Sequence, residues 1–416
     1  MAAKLQAPRG TFDVLPADGR RRAALARASD ELLGRAGYEP FESPVFEDTE
    51  VFARGVGEAT DIVRKEMFSF EDKAGRSLTL RPEGTAGACR AYVEHGMHKL
   101  PQPVKLRYWG PFFRHEAPQA GRYRQFTQIG AEALGSDDPS LDAEIVLLLV
   151  ELLEAVGARD LRVRLSSLGT PETREAYLLE LGAYLREHES ELSEDVRGRL
   201  DSNPLRAFDA DHAGTRAVME GAPRLLDRLG ADDAEHFAGV RALLDDSGLS
   251  YEVDTTLVRG LDYYTRTVFE VESGALGAQN ALGGGGRYDR LVERLGGPDT
   301  PGVGFAAGVE RILLATEAEA EAEPGAGGVF VAVSEPGAAR SAFALARQLR
   351  ERGVRVQLEQ AGRSLKGQLK QADRIGARAT VIVGGQIEVK DMGTGQQTQA
   401  AGPEEALALV ESTLES

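Results

Sequence analysis

Apolar and polar positions follow two rhythms along this chain. In SLTLRPEGTAG, Ser77 to Gly87, Leu78 and Leu80 alternate with hydroxyl-bearing residues as on a strand, and Arg81, Pro82 and Glu83 end it. In KLRYWGPFFRHEAPQAGRYRQFTQIGAEALG, Lys105 to Gly135, two aromatic and apolar runs flank a stretch holding Pro118, Ala120 and Gly121. That pattern predicts two antiparallel strands joined by a long loop. LVRGLDYYTRTVFE, Leu257 to Glu270, is a further strand-like run that Val258, Leu261, Val268 and Phe269 can bury. Elsewhere the spacing is helical. From about residue 170 to 246 the chain is charged, helix-prone and poor in strand runs, which reads as an inserted helical domain. There Thr170 can cap a helix that starts at Pro171, with Leu178, Leu181 and Leu185 on one face.

The stretch ATEAEAEAEPGAGG, Ala315 to Gly328, alternates Ala with Glu and then breaks on Pro and Gly, as a frayed helix end and a linker would. Beyond it VFVAV, a helical AARSAFALARQLRERG, VRVQL, a helical RSLKGQLKQADRIGA, ATVIVGG, IEVKDM and a last helix from Pro403 alternate strand with helix. This order predicts a small α/β domain with a largely parallel sheet, a fold that names no ligand by itself. The expected division is therefore 1–324, interrupted by the insertion, and 325–416.

Composition narrows the function. With 42% hydrophobic and 28% charged residues in 416, the chain can bury sizeable cores in two or three domains. Its single cysteine, Cys89, and six histidines show no zinc-type grouping, and a reducing cytoplasm is expected. The N-terminal MAAKLQAPRGTFDVLP lacks the apolar core of a signal peptide, and no membrane role is expected. The net charge of −17 argues against non-specific nucleic-acid binding. That charge lies before Gly325, after which about 11 basic residues meet about 10 acidic ones, so a local patch for a polyanion remains open.

Four segments concentrate polar groups. Arg259, Asp262, Tyr263 and Tyr264 sit inside the Leu257–Glu270 run, where burial requires partners. A structural ion pair would supply them, and so would a site. Glu83 and Thr85 lie at a strand terminus, suited either to receiving an ammonium or, for Thr85, to capping a helix. Arg114 and Glu116 leave the first strand of the long hairpin. Arg122, Arg124, Gln128 and Glu132 share one parity on the return, which an ordinary solvated strand face would also show. Finally, GGGGRYDRLVERLGG permits a tight turn or a close approach to a substrate, and GVGFAAGVERILL leads from glycines 302, 304 and 308 into a helix carrying Arg311. Neither is a dinucleotide or P-loop fingerprint, and the glycines would equally permit close packing.

Together these segments resemble the class II aminoacyl-tRNA synthetases, specifically the histidyl-tRNA synthetase family. FRHE with GRYRQF resembles the second class motif, GVGFAAGVERILL resembles the third, and LVRGLDYYTRTVFE with GGGRYDRLV resembles two histidine-specific signatures. PRGTFDVLP, LTLRPEGT, NPLRAFD and the terminal α/β unit follow in matching order, so the likeness spans almost the whole chain.

The resemblance implies an α+β catalytic domain on a six-stranded antiparallel sheet, a helical insertion and a C-terminal α/β anticodon-binding domain. It implies a homodimer. The implied reaction joins L-histidine to ATP, accompanied by Mg²⁺ and without zinc, and then esterifies the 3′ adenosine of tRNA(His). By the family motifs, Glu83, Thr85 and Gln128 receive the histidine ammonium, Glu132 and Tyr264 bind the imidazole nitrogens, and Tyr263 lines the pocket. Arg114 and Arg259 approach the α-phosphate as catalytic residues, while Glu116, Arg122 and Arg311 complete the ATP site. The alternative is a non-charging, histidine-sensing paralogue resembling the regulatory subunit of ATP phosphoribosyltransferase. Such proteins usually lack the anticodon domain and lose adenylation residues, both of which are retained here.

One loop departs from the family. Its usual HERPQKGRYRQF is here HEAPQAGRYRQF, with Ala117 and Ala120 replacing an arginine and a lysine. A basic side chain that no longer meets a phosphate lowers both the affinity for tRNA and its salt dependence. Reading of the tRNA acceptor end is expected to differ from the family pattern while adenylation is unaffected. Charging of tRNA variants altered at the first and discriminator nucleotides tests this, and ordinary family preferences would refute it.

Overall fold

A computed structural model of the chain describes residues 5–57, 60–200, 204–257, 261–277, 280–316 and 328–415, apart from the side chains at 206 and 209. It divides into two compact units, Met1–Glu317 and Ala318–Ser416. Residues 317–327, which contain most of the expected linker, lie outside the described residues. Among the described residues no helix is long and apolar enough to cross a membrane.

The first unit contains β1 (Glu39–Pro40), β2 (Phe46–Asp48), β3 (Phe68–Glu71), β4 (Ser77–Leu80), β5 (Val104–Phe113) and β6 (Gln125–Leu134). It continues with β7 (Leu161–Ser167), β8 (Glu252–Val253), β9 (Thr265–Ser273), β10 (Ala281–Arg287) and β11 (Gly302–Gly308). Eight of them form one sheet in the order β1-β5-β6-β11-β10-β9-β7-β8, and β2-β4-β3 form a small second one. The inner six strands are antiparallel throughout, as the resemblance implied. The two edges, β1 and β8, pair in parallel and make the sheet mixed. At two residues each, they carry no periodicity that could be read in advance.

Alternation decides which face of this sheet is filled. On β6, Ile129, Ala131 and Ala133 enter a core with Ile145, Leu149 and Leu152 of the helix Pro139–Ala155. Gln128, Gly130 and Glu132 therefore take the opposite face. On β11, Val303, Phe305 and Ala307 join the same core, leaving Gly302, Gly304, Ala306 and Gly308 opposite. The register sets Gly284 and Gly286 of β10 beside Ala306 and Gly304. The centre of that face thus carries nothing larger than a methyl group on β10 and β11. The glycine run lies within β10 and not at a turn. A Cβ at Gly283 or Gly285 would sit 3.0 Å from Ala307 Cα or 2.7 Å from Phe305 Cα, so close pairing with β11 requires glycine.

One strongly polar residue points into the filled face. Arg287 ends β10 fully buried, with Nε donating to both Asp142 oxygens at 3.1 Å and Nη2 to Asp142 Oδ2. Its Nη1 donates to Ser136 O at 2.9 Å and Asp289 Oδ1 at 3.1 Å. Burial pulls the guanidinium pKa down, but Asp142 and Asp289 outweigh it and hold the group charged.

Residues 170–246 are helical with no strand among the described residues, including Pro171–Glu187, Ala213–Glu220 and Ala231–Asp246. Thr170 Oγ1 accepts from Thr173 N at 3.4 Å, and Leu181 and Leu185 are fully buried while Leu178 packs at the margin. The run from Leu257 is shorter as a strand than expected. β9 begins only at Thr265, Leu261 to Tyr264 precede it without strand pairing, and 258–260 lie outside the described residues.

The second unit holds β12 (Val329–Val333), β13 (Val356–Leu358), β14 (Ala379–Val383), β15 (Ile387–Asp391) and β16 (Gln397–Ala400), in the order β13-β12-β14-β15-β16. Only β13, β12 and β14 are parallel, while β15 and β16 are antiparallel, so the expected parallel sheet is half of it. The reason is the short connection of Gly384, Gly385 and Gln386, since a parallel crossover needs about a dozen residues. β16, QTQA, is mostly exposed and has no apolar alternation to reveal it.

Asp142→Ala leaves Arg287 buried without its main counter-charge. The expected loss is about 3–5 kcal/mol in denaturant unfolding. A loss below about 1 kcal/mol would show that Ser136 and Asp289 suffice.

Candidate active site

A cavity of about 370 Å³ opens over the bare centre of the sheet. Its walls come from distant segments. Glu83 and Thr85 arrive where β4 has ended and the helix Thr85–Glu94 begins. Glu83 caps that helix, accepting from Thr85 N at 2.8 Å and Ala86 N at 2.9 Å. The capping role left open for Thr85 thus falls to Glu83. The Thr85 hydroxyl is turned inward instead and donates to Glu132 Oε1 at 2.7 Å. Burial raises the Glu83 pKa, against which the backbone donors and Arg114 work. A cationic group beside it would complete that compensation.

Tyr263 and Tyr264 form a second wall with ring centroids 4.8 Å apart, and Tyr288 stands 5.8 Å from Tyr263. The Tyr263 hydroxyl lies 3.4 Å from Glu83 Oε2. Gln128 also lines the cavity at 9% exposure, and its Oε1 is buried with no hydrogen-bond partner among the described residues. An acceptor left open in this way is costly unless a ligand donates to it.

Glu132 is fully buried one layer beneath these residues. Three hydroxyls meet it: Thr85 and, at 3.1 Å, Tyr108 on Oε1, and Tyr288 at 2.5 Å on Oε2. A carboxylate offers about four acceptor positions, so one on the Oε2 side has no donor among the described residues. Desolvation pushes its pKa up to about 8 despite those donors. Burial likewise holds the phenols of Tyr108, Tyr263 and Tyr288 well above their usual range, so all three remain donors.

Arginines occupy the remainder. Arg114 anchors through Nε to Pro82 O at 2.9 Å, with Glu116 3.8 Å from Nη1, and Arg122 approaches Glu116 at 3.4 Å. Arg311 donates to Ala281 O at 2.5 Å and to Gly121 O at 3.3 Å. Burial and then Arg122 lower the Arg311 pKa, with Glu116 and Glu270 acting in the opposite sense. Glu83, Thr85, Arg114, Glu116, Arg122, Gln128, Tyr263, Tyr264 and Arg311 thus line one cavity, with Glu132 directly behind it. Arg259 lies outside the described residues.

Residues 10–312 match the family model for histidyl-tRNA synthetase, and residues 329–413 match that for an anticodon binding domain. The chain belongs to the histidyl-tRNA synthetase family. It is 50% identical to a histidine–tRNA ligase of Rubrobacter xylanophilus over 410 residues, covering 95% of this chain and 96% of that one. A histidine–tRNA ligase of Desulforamulus reducens is 45% identical over 402 residues, with 95% and 96% covered. Apo histidyl-tRNA synthetase of S. aureus superposes with a TM-score of 0.81 at 36% identity, covering 99% of this chain and 100% of that one. The chain is accordingly a class II aminoacyl-tRNA synthetase that uses ATP to join histidine to its tRNA. The non-charging alternative is not favoured.

Within this family framework, sequence reasoning assigned no role to Tyr288 or Tyr108. Tyr288 sits in the GGGGRYDR segment next to Arg287, and strand alternation sends the two to opposite faces. Tyr108 is paired directly with Gly130 in the β5–β6 register, between Gln128 and Glu132 on the site face. Parity across the hairpin was the available signal for it.

Raising the Glu132 pKa from 4.5 to about 8 means that the native protein holds a proton which the unfolded chain has released between those values. Stability contributed by this group is therefore full below pH 4.5 and falls as pH rises towards about 8. Glu132→Gln is expected to flatten the pH dependence of the urea midpoint across that window. Equal slopes in variant and wild type would show that Glu132 ionises normally.

Proposed function

We propose that the cavity binds histidine between Glu83, Thr85 and Gln128 at its ammonium and Tyr264 and Glu132 at its imidazole, with Tyr263 as a side wall. The observation that carries this reading is the Gln128 Oε1 and the fourth acceptor position of Glu132, both without a donor among the described residues and both at one cavity. In the adenylation step the histidine carboxylate attacks the α-phosphorus of ATP and pyrophosphate leaves. Charge grows on the non-bridging oxygens, which fixed planar guanidinium groups stabilise. Arg114 and Arg259 take that role, Arg122 and Glu116 serve the terminal phosphates, and Arg311 lies against adenine. The tRNA 3′ adenosine hydroxyl then attacks the acyl carbon and AMP departs.

Mg²⁺ suits this site because it binds through one or two carboxylates together with substrate phosphates, and Glu116 and Glu270 line the cavity. When bound it supplies positive charge to the phosphate oxygens. No zinc role is proposed, on the strength of the lone cysteine. We take the division at about residue 324 to separate adenylation from anticodon contact, a boundary consistent with ordinary domain sizes. The unit is proposed to work in the cytoplasm on tRNA(His) as a homodimer. Phe46 and Phe70, 50% and 45% exposed and 6.2 Å apart, offer an apolar patch that supports self-association.

Charging assayed with each amino acid tests the substrate, and a chain that charges another amino acid as well as histidine would refute it. Arg114→Ala and Arg259→Ala are each expected to lose about 2.7–4 kcal/mol of transition-state stabilisation in histidine-dependent pyrophosphate exchange. Wild-type exchange in either variant removes that arginine from the mechanism.

A further inference from the structure

We propose that Tyr108 is a positioning residue for Glu132, its phenol clamped in a glycine slot so that it fixes the carboxylate that receives the substrate imidazole. This rests on the reading of Glu132 given above. Tyr108 is buried and does not line the main cavity, so it acts on substrate only through Glu132.

The slot is built from two sides. Tyr108 stands opposite Gly130 in the β5–β6 pairing, and a Cβ at Gly130 would overlap the phenol ring. A Cβ at Gly84, just before the helix Thr85–Glu94, would overlap the same ring. Phe112 closes along the strand at a centroid distance of 5.9 Å. With the ring held on these sides, the hydroxyl has little freedom and reaches Glu132 Oε1 at 3.1 Å. Thr85 Oγ1 reaches that same oxygen at 2.7 Å. Two donors fill Oε1 and lock the carboxylate plane, so the vacant acceptor lies on Oε2, beside Tyr288. Gly304 keeps that side open, since a Cβ there would overlap Oε2. Removing the Tyr108 donor returns one lone pair to Oε1. The carboxylate then has two vacant directions instead of one, and the imidazole loses a fixed partner.

Among the described residues, the titratable groups around Glu132 are Glu83 just before the neighbouring helix and Cys89 within it, Tyr108 from β5, and Tyr263 and Tyr288 across the pocket, with Tyr38 acting only through its charge from the core side of the sheet. Of these, Tyr108 and Tyr288 donate directly and favour the charged form of Glu132.

Tyr108→Phe keeps the ring and deletes the donor. In histidine-dependent pyrophosphate exchange with the full-length protein, KM for histidine is expected to rise about tenfold, with kcat and KM for ATP within about twofold. The midpoint of the pH dependence of the histidine KM is expected to move upward, because the carboxylate has lost a stabilising donor. Site-specific 3-fluorotyrosine at position 108, a stronger donor of nearly the same shape, is expected to move that midpoint downward. An unmoved midpoint in both replacements overturns the proposal, even if KM rises, since packing alone would then explain the change. Glu132→Gln separates the underlying reading. A wild-type histidine KM there refutes the role of Glu132 itself. A raised KM in Glu132→Gln with a wild-type KM and midpoint in Tyr108→Phe refutes only the role of Tyr108.

Discussion

The whole site depends on a sheet that is full on one face and empty at the centre of the other. Period-two alternation makes this possible within single strands: β11 sends Val303, Phe305 and Ala307 into the core while Gly302, Gly304, Ala306 and Gly308 leave space above. A cavity of this kind cannot come from loops alone, because its floor must resist collapse. Here the floor is backbone, held by the paired ladders of β6, β11 and β10. Glycine in a strand interior is destabilising, by roughly 0.5–1 kcal/mol relative to alanine. Burial of the opposite, apolar face against the helix Pro139–Ala155 offsets that cost.

Polar groups on either side of this sheet obey one rule with two outcomes. Arg287 in the core has its donors distributed over Asp142, Asp289 and Ser136 and is locked in a closed network. Glu132 above the sheet receives three donors and keeps a fourth position open. Incomplete satisfaction is costly in an empty protein, and at Glu132 desolvation by burial outweighs the three donors and lifts the carboxyl pKa to about 8. A ligand that fills the vacancy recovers that cost as binding energy.

The inner strands and their polar parity were legible in the sequence because each is long enough for alternation to repeat. β5 and β6 at ten residues each were read as a hairpin, whereas β1 and β8 at two residues were invisible. The glycine run was ambiguous for a different reason: glycine is permitted both in turns and in tightly paired strands, and only the partner strand decides. In the second unit, the three residues between Val383 and Ile387 already exclude a parallel crossover, so reading the connection would have corrected the expected sheet. The residues that line the cavity were found through family motifs more than through periodicity, since four segments far apart in sequence carry no local sign that they converge. Tyr108 escaped both routes. It carries no role in the motifs used, and its importance lies in a cross-strand register that one strand alone does not reveal.

This geometry also bears on how one amino acid is told from the others. Rejecting a substrate for one missing methylene in an apolar pocket yields only about 10- to 200-fold, whereas leaving buried polar partners unmet yields roughly 10⁴ to 10⁵. The cavity is of the second kind. On the proposed reading, its recognising groups are buried, directional and few: the Gln128 carbonyl oxygen at one end and the last acceptor position on Glu132 at the other. On that reading, an aliphatic or aromatic side chain without ring nitrogens offers Glu132 no donor, so the buried group keeps its proton and the contact that would favour its charged form is never made. Selectivity would then rest on how rigidly one carboxylate is held, because a carboxylate free to turn would find substitute donors among its own tyrosines. Three hydroxyls converging from Thr85, Tyr108 and Tyr288, on three different segments, deny it that freedom.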